Sequence, residues 1–301
     1  MSDKLNDKIV LLNERSGHVE KLVNELSTGG FFKYIYSKDM FKIFGLNLLM
    51  CVFLAPLVVV YYKYMVATSA FNATLPSNSS VGMGFVYWAG LQEYSTSVLN
   101  GYSSKFWLLT IPCITCFGFA LAGGLCVLRD AFWTGRVKVF KTFFKGIYEC
   151  GLVVVIGIAV IAAALCGIME LNMAIANLAV ALKVLINIAL WIVFALFVTY
   201  CFTLFSVTAT YKQSLGVNMR TAWGIMFKYI TSTLFNVVMT FVPVYLVLLL
   251  GKTTFWILLA VLILMIGLFY IPLVWQTHMM KIFSIYHPVE KKVTKRKKAY
   301  N

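Results

Sequence analysis

The chain has 301 residues, 61% of them hydrophobic and 12% charged, and a formal net charge of +15. Soluble domains average about 45–50% apolar and about 25% charged residues, so a water-soluble fold could not hide this much apolar surface. The basic excess lies between apolar runs, with no segment mixing aromatic and basic residues on a soluble module, which argues against nucleic acid as a partner.

Residues 1–30 form a polar segment with a pattern of its own. Leu5, Ile9, Leu12, Val19, Val23 and Leu26 recur as on one face of a helix, and Gly29-Gly30 supplies a stop. The pattern predicts a cytoplasmic amphipathic helix, lying on the inner membrane surface or docked on a partner. A polar start of this length is not a cleavable signal peptide.

Residues 31–285 carry six apolar runs: Ile43–Tyr62, Phe106–Leu128, Cys150–Met169, Val184–Phe205, Tyr229–Leu250 and Phe255–Trp275. Each approaches the about 20 residues of helix that cross a hydrocarbon core of about 30 Å. The runs are continuously apolar rather than alternating, which points to helices and not to barrel strands. Helices also satisfy their own backbone polar groups, as lipid requires. The expected fold is therefore all-α, an integral membrane bundle of about six helices. Residues 170–183 are mostly apolar, which leaves room for the third or fourth span to run longer.

Charge sets the expected orientation. Of the 26 Lys and Arg, 22 fall in alternate connections and termini and 4 in the others. The positive-inside rule places the 22 in the cytoplasm, with both termini inside and an even number of spans. The largest external segment is then 63–105, with Pro76, an aromatic patch at Phe85-Val86-Tyr87-Trp88, and glycosylation-like tripeptides at Asn72 and Asn78. The tail 286–301 is polybasic, suited to anionic lipid. The inner loops offer Arg136, Lys138, Lys141, Lys145 and Arg220 as docking candidates. Within them Lys141-Thr142-Phe143-Phe144 and Arg220-Thr221-Ala222-Trp223 echo one another, each after a glycine and before a span.

The interiors of the six runs contain no Asp, Glu, Lys, Arg or His. Proton relays and voltage sensors need such groups inside the membrane. The polar residues there include Asn47, Asn187 and Asn236 with several threonines, which suit interhelical bonds or a polar path for a solute. Gly118, Ala120, Ala122 and Gly124, and then Ala159, Ala163 and Gly167, form small-residue seams for close helix packing. Pro56, Pro112, Pro243 and Pro272 are expected to bend their spans.

Seven cysteines lie in or beside apolar segments, an odd number that does not describe an extracellular disulfide framework. Cys113-Ile114-Thr115-Cys116 is a CxxC inside the second run, but no charged or histidine neighbour is present to activate a thiol. No zinc-type spacing, HExxH or phosphate-binding glycine loop occurs, so no cofactor or metal is expected. An enzyme would need a polar cluster at one face, for which Glu149, His278 and Asp130 are the residues to watch.

Three segments carry a family resemblance: Phe41–Leu49 with its early Asn47, Gly123–Asp130, and Val139–Lys145. On these the chain resembles the YesL-like family of bacterial polytopic membrane proteins, with Phe144 where the family pattern has Trp. The resemblance implies a six-helix protein of the bacterial cytoplasmic membrane. It also implies a non-enzymatic accessory role beside carbohydrate ABC importers. The alternative from the residues alone is a transporter or channel-like protein for an uncharged or amphipathic solute.

Overall fold

The structure, a computed structural model, describes residues 28–74, 91–134, 139–175, 179–211, 213–250 and 267–286. Among these residues every regular element is a helix. There are seven: α1 (Thr28–Thr74), α2 (Leu91–Thr134), α3 (Val139–Ala174), α4 (Val180–Thr210), α5 (Leu215–Lys228), α6 (Ile230–Leu250) and α7 (Leu268–Tyr286). Within α1 to α4, the segments Phe41–Phe71, Ser97–Phe132, Val139–Ala174 and Val180–Thr210 are long and apolar enough to cross a membrane. They mark the chain as membrane-embedded. The predicted N-terminal amphipathic pattern, the patch at 85–88, the Asn78 tripeptide and the tail from 287 onward lie outside the described residues.

The helices outrun the apolar runs that predict them. At about 1.5 Å per residue, the 47 residues of α1 and 44 of α2 each reach about twice the hydrocarbon thickness. Past Tyr62 no glycine or proline intervenes before Pro76, so nothing stops α1 at the edge of its apolar run. Asn72 therefore sits in the last turn of α1 rather than in a loop. An aromatic ladder joins the two extensions: Tyr64 to Phe106 at 4.6 Å, Tyr61 to Phe106 at 6.2 Å and Phe71 to Tyr102 at 6.1 Å. Amphipathic rings of this kind collect at membrane–water interfaces.

The third and fourth runs extend toward each other, α3 ending at Ala174 and α4 beginning at Val180. The fifth run is α6, offset by one residue from its predicted start. For the sixth, the described helix begins at Leu268 and continues past Trp275 to Tyr286; residues 255–266 lie outside the description.

The core sits at the end of the bundle where α2 and α4 finish and α3 begins, the end that carries Arg129, Lys141, Lys145 and Arg220. There α2 is buried without a break from Ala120 to Leu128. Around it pack Ile43, Leu46 and Met50 of α1, Phe143 and Val154 of α3, Phe205 and Val207 of α4, and Phe269, Leu273 and Trp275 of α7. Ile43, Leu46, Asn47 and Met50 are spaced as one helix face should be, so α1 touches the core with a single stripe.

Small residues set the closest approaches. A Cβ on Gly146 would lie 2.5 Å from Cys126 Cβ, and one on Gly123 would lie 2.5 Å from the Phe143 ring. The seam predicted on α2 is used as well: Ala120 and Ala122 are buried, and a Cβ on Gly118 would lie 3.0 Å from the Val155 Cα of α3. The one predicted at Ala163 and Gly167 of α3 is exposed instead, and a Cβ at Gly167 meets nothing within 4 Å. Helix α3 comes close to α2 at Phe143, Gly146 and Val155, and to Phe205 of α4 at Gly157.

Between α4 and α6 the loop expected from the charge pattern is occupied by α5. It buries Asn218, Ala222, Ile225 and Met226 on one face. Met219, Trp223 and Phe227 are exposed beside Arg220, and Trp223 meets Tyr200 of α4 with ring centroids 5.6 Å apart. The sequence echo has a structural counterpart. In both Lys141–Phe144 and Arg220–Trp223 the basic first residue and the aromatic last residue are exposed, and the third residue is buried.

Candidate functional site

The polar groups of the described bundle gather in two places. The first is the junction of α1, α4 and α7. Asn47 is fully buried, and its Oδ1 accepts hydrogen bonds from the backbone N–H groups of Leu268 and Phe269, both at 3.1 Å. These two residues lie in the first described turn of α7, directly after Gly267, which is itself helical. A side chain of α1 thus bonds the backbone of α7 directly, a link between helices of the kind that polar side chains make in membranes. Pro272 follows within the same turn and cannot donate at all.

One turn further, Trp275 Nε1 donates to the Phe202 carbonyl and to Ser206 Oγ, each at 2.9 Å, and Ser206 Oγ donates to Gln276 Oε1 at 2.9 Å. Trp275, Gln276 and Ser206 are all fully buried. This chain of bonds ties α4 to α7 through groups that would be costly to leave unpaired in a low dielectric.

The second place is the basic end. Arg129, at the end of the α2 apolar run, donates from Nη1 to the Ala209 carbonyl at 2.7 Å and from Nη2 to Asp130 Oδ1 at 2.8 Å. Its guanidinium also lies 3.6 Å from Glu149 of α3, which Lys145 approaches at 3.7 Å. Thr142 Oγ1 donates to the other oxygen of Asp130 at 3.3 Å. Ala209 belongs to the last turn of α4, where carbonyls lack helical partners and the helix dipole is negative. A single arginine therefore caps α4 and pairs with carboxylates from α2 and α3.

The structure places the sequence-derived candidates as follows. Asn47 is engaged with α7. Asn187 lies on α4, where its amide donates to the carbonyl of Lys183 at 3.0 Å. Asn236 is buried on α6, and its backbone carbonyl accepts from Thr240 at 2.7 Å. A shallow depression lined by α4, including Lys183, Asn187 and Trp191, opens outward from that helix. Lys141 and Arg220 are exposed at the basic end, and Lys145 joins the ion-pair cluster; Arg136 and Lys138 lie outside the described residues.

Of the three residues flagged for enzyme chemistry, Asp130 and Glu149 meet at Arg129. His278 instead stacks near Trp275 on α7, with ring centroids 6.4 Å apart. Burial, and then the nearby Lys281 charge, pull the His278 pKa down to about 4, so its imidazole is neutral at ordinary pH. Among the described residues no group of three His, Cys, Asp or Glu side chains is placed to hold a metal.

Ser206, Trp275, Gln276 and Arg129 are absent from the sequence-derived candidates. The fourth apolar run ends at Phe205 and the sixth at Trp275, so Ser206 and Gln276 fall just outside them. Their partnership becomes visible only once α4 and α7 lie side by side.

Together these features define a polytopic helical membrane protein in which a few buried polar side chains join helices. No family model, curated protein or solved structure matches the chain.

Proposed function

We propose that the chain is a non-enzymatic multi-pass protein of the bacterial cytoplasmic membrane that acts as an accessory partner of a solute importer. It would have six spans and both termini in the cytoplasm, as the 22-to-4 distribution of Lys and Arg favours. The importer as partner rests on the resemblance to the YesL-like family carried by Phe41–Leu49, Gly123–Asp130 and Val139–Lys145.

The observation that carries the reading is the asymmetry of α4. From Val198 onward the helix is embedded in the core. From Val180 to Phe197 none of its residues is buried, and Val184, Leu185, Ile188, Trp191, Ile192 and Val193 are all exposed. A bare helix half of this kind, with Asn187 and Lys183 set into it, is suited to packing against a transmembrane helix of another protein.

A photo-crosslinking residue at position 188 or 191, activated in intact cells, tests this. The expected product is an adduct with a membrane subunit of a carbohydrate importer. Adducts confined to lipid or to the chain itself would defeat the proposal.

The second reading, a transporter for an uncharged or amphipathic solute, has the α4 depression with Lys183 and Asn187 on its side. It requires solute flux by the purified chain in proteoliposomes and loss of that flux in Asn187→Leu. The accessory reading requires no flux from the chain alone.

A further inference from the structure

The sequence singles out Cys113 and Cys116 as a thiol pair, but the structure brings a different pair together. Cys126 of α2 and Cys150 of α3 have their sulfurs 3.4 Å apart, and both side chains are buried. Cys150 Sγ also donates to the Gly146 carbonyl at 3.2 Å. The closeness has a cause. Gly146, one turn before Cys150, lets α2 approach until a Cβ there would sit 2.5 Å from Cys126 Cβ and 3.2 Å from the Ala122 carbonyl. Arg129 lies one turn beyond Cys126, and Glu149 directly precedes Cys150. The two sulfurs are therefore only about one turn inside the ionic cluster at the basic end.

We propose that Cys126 and Cys150 form a reversible dithiol–disulfide pair, a modification site that on oxidation clamps α2 to α3 beside Arg129. A disulfide needs an S–S separation of about 2.05 Å, so the sulfurs must close by about 1.4 Å, within the reach of side-chain rotation on helices already in contact. The oxidant is a hydroperoxide such as hydrogen peroxide, which is small and uncharged. One sulfur attacks a peroxide oxygen and the O–O bond breaks. The departing hydroxide takes that thiol's proton as water and leaves a sulfenic acid. The second sulfur then displaces the sulfenic hydroxyl, which leaves as water with the second thiol's proton, and the S–S bond forms. Two thiols and one peroxide give one disulfide and two waters, with sulfur oxidised and oxygen reduced. A thiol reductant reverses the step by exchange.

Full-length protein in native membrane vesicles is treated with hydrogen peroxide, denatured in the presence of N-ethylmaleimide so that every free thiol is blocked, and digested. Peptide mass spectrometry is then run with and without reductant. The expected result is a reductant-sensitive peptide joining Cys126 to Cys150, together with two fewer maleimide adducts per chain. The Cys113→Ser/Cys116→Ser double variant should behave as wild type, and Cys126→Ala should retain all its remaining adducts. A wild-type digest without the 126–150 link, or with sulfinic acid at either cysteine in its place, overturns the proposal, and this result does not depend on whether any variant folds.

Discussion

Asn47 and Asn187 are the same residue type in similar apolar surroundings, yet they have different physical roles. Asn47 satisfies two backbone donors of another helix 221 positions away, whereas Asn187 bonds the preceding turn of its own. Replacing Asn47 by Leu removes both interhelical bonds, each worth about 0.5–1.5 kcal/mol. Asn47→Leu should therefore lower the melting temperature in mild detergent by many degrees, while Asn187→Leu should stay near wild type. Equal melting of the two variants would contradict the linking role of Asn47.

His278 makes a prediction in pH. Its folded pKa lies near 4, below the ordinary 6.5, so between these values the unfolded chain binds more protons than the folded one. The stability it contributes is complete above pH 6.5 and is lost as pH falls toward 4. Thermal melts across that window should slope downward with acid in wild type and flatten in His278→Gln.

At the scale of elements, glycine positions separate contact from exposure. Gly146→Ala drives a methyl into Cys126 and the Ala122 carbonyl, and overpacking of this kind costs about 1–3 kcal/mol. Gly167→Ala meets nothing within 4 Å and should gain up to about 1 kcal/mol in helix propensity. Melting temperatures that shift in opposite directions would verify the α2–α3 interface.

That interface was half legible. A small-residue stripe on α2 was readable, because packing seams in lipid need close backbones. Its partner on α3 was misplaced, because Ala159, Ala163 and Gly167 show the same spacing as a true seam. Spacing alone does not say which face of a helix meets protein and which meets lipid, since both are apolar.

At the scale of the whole molecule, the chain alternates direction so that Arg129, Lys141, Lys145 and Arg220 share one end. The proposed topology requires that end to be cytoplasmic. Reporter fusions after Asn301 and within residues 75–90 should register cytoplasmic and external, respectively. An external signal from the C-terminal fusion would invert or break the arrangement.

The sequence by itself determined that this is a helical membrane protein, where most of its helices run, and that charge gathers in alternate connections. Those properties follow from hydrophobicity and backbone satisfaction, which act on each segment separately. The tertiary structure decided the partners. It joined Asn47 to the backbone of α7, Ser206 to Gln276, Arg129 to the end of α4, and Cys126 to Cys150. Each of these links spans helices that the sequence leaves unordered in space. In a bilayer every apolar face is equally content with lipid, so only assembly selects which faces meet.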